Sequence, residues 1–240
     1  MDLILDTLFP QKQKCLNCGF AKSSKEITGL CTNCLEGINF LSRYCKICGR
    51  QLAERTNNVC AFCHSVDYYF QQARAVALYR AEMKEIIANF KYRGTKSLIK
   101  PLGQLLNLYF AEYYKNVNFA AIIAVPLHKE KKQIRGFNQA SLLARELSCY
   151  NSLPYLENLI VRSRKTTPFY NLTFRERQEQ ISGAFKANRY PQNLRDRSVL
   201  LIDDIFTTGS TVNEVSKVLL QEVKVGTVHV LTLATAAKIN

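Results

Sequence analysis

Two adjacent carboxylates, Asp203 and Asp204, stand between a short apolar run and a turn rich in hydroxyl groups. The run, residues 199–202, is short and contains β-branched residues, which indicates a buried strand. The turn reads Thr207-Thr208-Gly209-Ser210-Thr211 and leads into a segment with valines at helical spacing. Backbone N–H groups and hydroxyls are therefore expected around one point at a helix N-terminus, where a phosphate group is favoured.

The two aspartates would repel a phosphate, so we expect them to serve another part of the ligand. Carboxylates accept hydrogen bonds from sugar hydroxyls and help to hold hydrated Mg²⁺. An ordinary strand-to-helix turn explains one capping hydroxyl, but not four hydroxyls beside two acids. The stretch resembles the loop with which type I phosphoribosyltransferases bind phosphoribosyl pyrophosphate (PRPP).

Nine cysteines are present, and eight of them form four C-x-x-C pairs. Each pair closes a tight turn that presents two sulfurs to a tetrahedral ion, and two pairs complete one structural zinc site. We predict two such sites, formed by Cys15, Cys18, Cys31 and Cys34 and by Cys45, Cys48, Cys60 and Cys63. An interleaved arrangement, in which the first pair partners the third, also fits the spacing. Cys149 is expected to be a small buried residue on a helix.

Other uses of paired cysteines fit less well. A disulfide framework requires an oxidising compartment, whereas residues 1–9 lack the charge and apolar length of a secretory signal, so we expect a cytoplasmic protein. Thioredoxin-like chemistry uses one pair rather than four. Residues 60–64 match a haem-attachment pattern, but this leaves six cysteines unexplained. No apolar run is long enough to cross a bilayer, so membrane insertion is not expected.

A basic loop, residues 126–140, follows a predicted strand at residues 119–125 and is expected to enter a helix at about Phe137. Basic side chains before a helix N-terminus suit a pyrophosphate group, although a solvated surface loop is a simpler alternative. The candidate ligand residues in this loop are Pro126, Leu127, His128, Lys129, Arg135 and Gly136.

The order of the motifs resembles one family in particular. A V-P-L-H sequence at residues 125–128, an R-G-F-N-Q-A sequence at residues 135–140 and the aspartate loop, all behind cysteine pairs, are similar to the ComF family of competence proteins. That family joins a zinc ribbon to a phosphoribosyltransferase-like domain and is implicated in handling incoming DNA during natural transformation. The resemblance implies that Asp203 and Asp204 hold the ribose hydroxyls and help to place Mg²⁺. It also implies that residues 207–211 bind the 5′-phosphate and the loop from Pro126 binds the pyrophosphate.

Residues 162–185 correspond to a mobile hood in phosphoribosyltransferases. The family pattern expects Gln where Phe169 stands and Asn where Gln180 stands, so we transfer no ligand contacts to these positions. The basic residues of this region are candidates for anion binding: Arg162, Arg164, Lys165, Arg175 and Arg177.

The net charge of +14 is concentrated in the second part of the chain. Residues 1–70 carry eight basic and six acidic side chains, which leaves +12 for residues 71–240. Lysines and arginines also alternate with Phe90 and Tyr92, a pattern that can stack and neutralise single-stranded nucleic acid. A solvated helix face is the commoner origin of such a run.

Strands that alternate with helical patterns predict an α/β fold with a mostly parallel sheet flanked by helices, with ligands at the carboxyl ends of the strands. We predict a double zinc-ribbon domain at residues 1–68 and a phosphoribosyltransferase-like domain at residues 69–240.

Three functions remain open from the sequence. The first is a ComF-like DNA-uptake protein that binds single-stranded DNA and either PRPP or a nucleic-acid phosphate. The second is an active, Mg²⁺-dependent phosphoribosyltransferase, for which no acceptor-binding element or general base is evident. The third is a zinc-ribbon adaptor that docks to a DNA translocase or helicase.

Overall fold

The computed structural model describes residues 14–21, 29–53, 58–92, 96–164, 174–188 and 191–236. The expectations for Lys165 and Phe169 lie outside these residues. The strands are β1 (Gln72–Leu78), β2 (Phe119–Ala124), β3 (Ile160–Arg162), β4 (Phe185–Ala187), β5 (Ser198–Phe206) and β6 (Thr227–Thr235). The helices are α1 (Thr32–Glu36), α2 (Ala61–His64), α3 (Ala81–Tyr92), α4 (Ile99–Tyr114), α5 (Lys129–Arg135), α6 (Gln139–Asn151), α7 (Phe174–Ile181) and α8 (Ser210–Val218).

Four strands form a parallel sheet in the order β1-β6-β5-β2, and β3 pairs with β4 in a separate antiparallel ribbon. Alternate residues of β5 enter different cores: Leu200 and Ile202 pack with α3, α4 and α6, while Val199 and Leu201 pack with α8. Apolar burial on both faces explains the continuous apolar runs in the sequence. The predicted α/β fold with a mostly parallel sheet is confirmed.

The cysteine-rich segment covers the edge strand of this sheet. The backbone N–H of Ala73 in β1 donates to the carbonyl of Ile47 at 2.7 Å, and the N–H of Leu78 donates to the carbonyl of Asn39 at 2.9 Å. Gly49 approaches β1 so closely that a Cβ atom there would lie 2.5 Å from the carbonyl oxygen of Ala73. The ribbons therefore satisfy backbone groups that an exposed sheet edge would leave unpaired.

The expectation for Cys149 is wrong, and of the two aromatic residues in the basic run one is buried. Cys149 is exposed, because the buried stripe of α6 runs through Leu143, Ala144 and Leu147 and leaves position 149 outside it. Phe90 is fully buried, so only Tyr92, with 72% of its surface exposed, could offer a ring to a nucleic acid at this end of α3. Within the described residues, no helix combines the length and apolarity that spanning a bilayer requires.

Candidate functional site

The turn after β5 is built around Gly209. This residue has φ of 86°, and a Cβ atom there would lie 2.6 Å from the Phe206 ring, so glycine fits both the left-handed backbone and the tight packing. Gly209 is also the N-cap of α8, which begins at Ser210. The turn therefore brings the N-terminus of α8 beside the end of β5, as the sequence predicts.

The four hydroxyls of the turn divide into two pairs. Thr208 and Ser210 are buried, and their Oγ1 and Oγ atoms lie 2.9 Å apart in a mutual hydrogen bond. Thr207 is exposed and Thr211 is half-buried. Thr211 and Gly209 line a small cavity together with Asp203. The turn of residues 207–211, here called the phosphate-type turn, and the first aspartate therefore face the same cavity.

The aspartate pair forms the last part of β5 rather than following it. Asp203 is directly linked to its neighbour, since its Oδ1 accepts a hydrogen bond from the backbone N–H of Asp204 at 2.8 Å. Burial, and next the nearby charge of Asp204, raise the pKa of Asp203 to about 7. Lys91 and Arg162 act in the opposite direction and favour the charged carboxylate.

Cations from three other segments surround these carboxylates. Lys91, in the last turn of α3, forms an ion pair with Asp204, and the nitrogen-to-oxygen distance is 2.9 Å. Lys131 of α5 has a lowered pKa because of partial burial and because Arg162, Arg135 and Lys91 lie nearby. Asp204 offsets part of this repulsion, and a multivalent anion bound beside the cluster would offset more of it.

The basic loop after β2 contains a short helix, α5, which the sequence reading did not predict. His128 is its N-cap, with Nδ1 accepting from the backbone N–H of Glu130 at 3.4 Å. Gly136 ends it with φ of 77°. Pro126 and Leu127 line a second cavity, and Lys129 is exposed. His128 and Gly136 therefore cap the two ends of α5.

The R-G-F-N-Q sequence holds the loop to the rest of the domain. Phe137 packs on the Phe90 ring at 5.9 Å, and Asn138 caps α6 while its Nδ2 donates to the carbonyl of Val125. Arg135 donates to Oε1 of the buried Gln139 at 3.1 Å. Arg135 also donates to the Tyr92 hydroxyl, and its guanidinium carbon lies 5.0 Å from the centre of the Tyr92 ring.

The basic residues of the hood region have different surroundings. Arg162 lies near Asp203 and above the Phe185 ring. Arg164 donates to the carbonyls of Gln180 and Ser182, and Arg175 pairs with Glu179 on exposed α7 surface. Among the candidates that the structure describes, Arg162 is the one whose charge acts on Asp203. Arg177 is half-buried on α7.

The cysteines gather into two groups of four sulfurs. Cys15, Cys18, Cys31 and Cys34 form one group, and Cys45, Cys48, Cys60 and Cys63 form the other, with the sulfurs of each group within 4.8 Å of one another. The grouping is sequential rather than interleaved. Four thiols converging on one point are a donor set suited to tetrahedral Zn²⁺, and each set leaves no position for a substrate.

Three further residues contribute to the site, although the sequence did not indicate them. Lys91 stands between Phe90 and Tyr92 in the run of basic residues, whereas Arg50 and Tyr68 lie in no recognisable motif. Arg50, from the second cysteine group's segment, donates to the carbonyl of Thr207 at 2.7 Å, and the Tyr68 hydroxyl donates to the carbonyl of Thr208 at 3.0 Å. The contacts span 157 and 140 residues of sequence, so no local pattern could have indicated them.

Comparison with known proteins gives the same architecture. Residues 4–64 match the double zinc ribbon domain family, and residues 134–238 match the phosphoribosyl transferase domain family. The chain is 30% identical to Competence protein F of Haemophilus influenzae over 227 residues, which are 93% of this chain and 97% of the relative. It is 27% identical to Competence protein ComFC of Bacillus subtilis over 94% of this chain and 85% of the relative. It is also 27% identical to DNA utilization protein YhgH of Escherichia coli K12, over 80% of this chain and 85% of the relative.

The fold, the paired cysteine groups and the loop after β5 define a protein of the zinc-ribbon and phosphoribosyltransferase-domain class. Within that class, the chain belongs to the ComF family of competence proteins.

Proposed function

We propose that the chain is a ComF-type protein that handles single-stranded DNA and whose site at the end of β5 binds PRPP or a nucleic-acid phosphate. The observation that carries the proposal is the cavity lined by Asp203 and the Gly209 turn. Beside it, Asp204 pairs with Lys91 and lies near Lys131. The names of the relatives, which refer to competence and DNA utilization, support the biological role.

The proposed ligand position follows from charge. The 5′-phosphate accepts from the N-terminus of α8 and from the outward hydroxyls of Thr207 and Thr211. In PRPP, the ribose hydroxyls donate to Asp203 and Asp204, whereas a DNA strand, which lacks free sugar hydroxyls at its internal nucleotides, is held through its phosphates. The diphosphate of PRPP, or a neighbouring phosphate of a strand, lies beside Lys131 and Arg135, where it relieves the repulsion among the cations.

Mg²⁺ is proposed to enter with the diphosphate. Carboxylates suit a hard cation that keeps most of its water, and the Asp203–Asp204 pair offers such oxygens. Mg²⁺ would neutralise the negative charge of the bound diphosphate. Asp204 already pairs with Lys91, so this lysine and the cation share one carboxylate, and PRPP affinity is expected to depend on Mg²⁺ concentration.

Single-stranded DNA is proposed to pass across Tyr92 and Arg135. The Tyr92 ring is 72% exposed, lies under the Arg135 guanidinium and stands one residue from Lys91 in the cation cluster. A ring and a guanidinium plane can stack a base while the neighbouring charges bind its phosphates. The +12 charge of residues 71–240 supports the same reading. A docked DNA translocase or helicase remains a proposed partner.

The experiment is a competition between two ligands. Fluorescently labelled oligothymidylate is bound to the zinc-loaded protein at several salt concentrations, and PRPP with Mg²⁺ is then added. The proposal expects affinity to fall steeply with salt and PRPP to displace the oligonucleotide. A salt-independent affinity contradicts the electrostatic basis of DNA binding, and DNA binding that PRPP leaves unchanged contradicts a shared site.

An active phosphoribosyltransferase is the second candidate. The retained aspartate pair beside the phosphate-type turn favours it, because a protein that only binds DNA has no need of ribose-holding carboxylates. Pyrophosphate release from PRPP and Mg²⁺ is measured with bases, amines and single-stranded DNA as acceptors. Release with one acceptor supports turnover, whereas PRPP binding without any release supports a binding function.

A further inference from the structure

We propose that Arg50 is a positioning residue that transmits the order of the second cysteine site to the phosphate-type turn. The inference rests on the proposed function, since it explains how the turn is made ready to bind a phosphate. It concerns a residue from the ribbon segment, outside the domain that carries the site.

Arg50 is buried between the two parts of the protein. Only 4% of its surface is exposed, and its guanidinium carbon lies 5.0 Å from the centre of the Phe62 ring and 5.3 Å from that of Phe206. One nitrogen, Nη2, donates to the carbonyl of Thr207, while Nε and Nη1 have no hydrogen-bond partner in the described part of the chain. The two rings flank the guanidinium, and its charge lies near the Cys48 thiol and the Tyr68 hydroxyl. These surroundings hold Arg50 in position to donate to the Thr207 carbonyl.

The second cysteine site fixes both sides of this contact within the ribbon. Arg50 follows Cys48 by two residues, and its own carbonyl accepts from the backbone N–H of Cys45 at 2.8 Å. Phe62 lies between Cys60 and Cys63 on α2. Closure of these four thiols around one ion therefore determines where the guanidinium and its stacking ring lie.

The consequence for the turn follows from peptide geometry. In a planar trans peptide the C=O and the next N–H point in opposite directions. Arg50 holds the Thr207 carbonyl on the ribbon side, and the Tyr68 hydroxyl holds the Thr208 carbonyl. The N–H groups of Thr208 and Gly209 are thereby turned away from the ribbon. These are the donors that a phosphate at the start of α8 would use.

The test compares Arg50→Met with Lys46→Met in the zinc-loaded protein. Both changes remove one positive charge from the same ribbon, and the Lys46 side chain is exposed. We propose to measure zinc content, far-UV circular dichroism, hydrogen exchange of the peptide spanning residues 206–213, and affinity for inorganic phosphate and PRPP.

Arg50→Met is expected to speed exchange in this peptide and to weaken ligand affinity about tenfold, which corresponds to the loss of one hydrogen bond to a charged group. Lys46→Met is expected to change both less than twofold, and Arg50→Lys should recover part of the loss.

Further outcomes decide between the proposals. Unchanged exchange and affinity in a zinc-loaded Arg50→Met protein overturn the positioning role. If that variant does not retain two zinc ions, Arg50→Gln, a shorter polar side chain without the charge, is used instead, and unchanged exchange in that variant overturns the role equally. If the wild-type protein binds neither phosphate nor PRPP, the proposed function fails, yet the exchange comparison still tests the role of Arg50.

Substitution of the cysteines tests which site Arg50 depends on. Cys60→Ser should speed exchange in the turn, whereas Cys18→Ser should not. Equal effects would contradict the assignment to the second site.

Discussion

Lys91 Nζ lies 2.9 Å from Asp204 Oδ2, so the last turn of α3 is joined to the end of β5 by an ion pair. Both side chains are mostly buried, with 14% and 15% of their surfaces exposed. The pair is therefore screened less by salt than a surface ion pair. In the absence of a ligand, Lys91 supplies the positive charge beside a carboxylate that we propose contacts ribose and Mg²⁺.

Replacement of Lys91 tests this relationship. Lys91→Ala is expected to weaken PRPP affinity about tenfold, since a positive charge near the bound diphosphate is lost. The affinity should also depend more steeply on Mg²⁺ concentration, because Mg²⁺ must then supply the missing positive charge. Isothermal titration at several Mg²⁺ concentrations measures both effects. Lys84→Ala removes an exposed lysine from the same helix and should change neither. Equal affinities for the two variants would show that Lys91 does not serve the ligand.

The raised pKa of Asp203 predicts a pH-dependent stability. Its pKa rises from an ordinary 3.8 to about 7 in the folded protein, because of burial and the charge of Asp204. The contribution of protonated Asp203 to the free energy of unfolding is fully present below about pH 4 and is lost as the pH rises through about 7. Asp203→Asn cannot ionise, so at pH 8 it should be more stable than the wild type, by at most about 4 kcal/mol.

Thermal or urea unfolding of the zinc-loaded protein from pH 5 to pH 8 measures this difference. The gain from Asp203→Asn should shrink as the pH falls toward 5. Asp196→Asn removes a carboxylate that is 86% exposed and is the matched control. A stability difference that stays constant across the range would contradict the raised pKa.

Loss of a zinc ligand should unfold a ribbon and weaken its attachment to the sheet. Cys45→Ser is expected to release one of two zinc ions and lower the unfolding temperature, because the ribbon has few apolar side chains to hold it without metal. Exchange of the β1 amides that bond to the ribbon, including that of Ala73, should then accelerate. Cys149→Ser is the control, since that thiol is exposed and belongs to neither group. Retention of two zinc ions in Cys45→Ser would contradict the assignment.

The exposed Tyr92 ring gives a prediction about DNA. Tyr92→Ala should weaken binding of single-stranded DNA by about 1–3 kcal/mol, the worth of one stacked base, and leave the salt dependence unchanged. Arg135→Ala should reduce that salt dependence by about one phosphate contact. Fluorescence anisotropy against salt concentration separates the two effects. Tyr150→Ala, which removes another exposed ring, is the control, and an equal loss in this variant would remove Tyr92 from the binding surface.

The sequence predicted those parts of the structure that depend on neighbouring residues. The apolar run at residues 199–202 indicated β5, and the spacing of the cysteines indicated two groups of four. The hydroxyl turn was recognisable because strand end, glycine and helix start occupy consecutive positions. Contacts between distant segments carried no such signal: Arg50 reaches Thr207, and Lys91 reaches Asp204, only because the sheet order brings their segments together.

Residue type alone did not predict the local surroundings of His128 and Cys149. His128 was predicted as a ligand residue of a pyrophosphate loop, and its ring also caps α5. Cys149 was expected in the core because cysteine is commonly buried, yet its position on α6 lies outside the apolar stripe. The exposure of Cys149 follows from the phase of α6, which depends on where that helix begins.

Titration of PRPP with Mg²⁺ into the zinc-loaded protein tests the central claim most directly. The wild-type protein is compared with a variant that combines Asp203→Asn and Asp204→Asn, and zinc content confirms that both retain the ribbons. The account predicts one PRPP site per chain, with affinity reduced at least about a hundredfold in the variant, since two charge-assisted contacts are lost. Absence of binding to the wild-type protein, or equal binding to both proteins, would contradict a phosphoribosyl site at the end of β5.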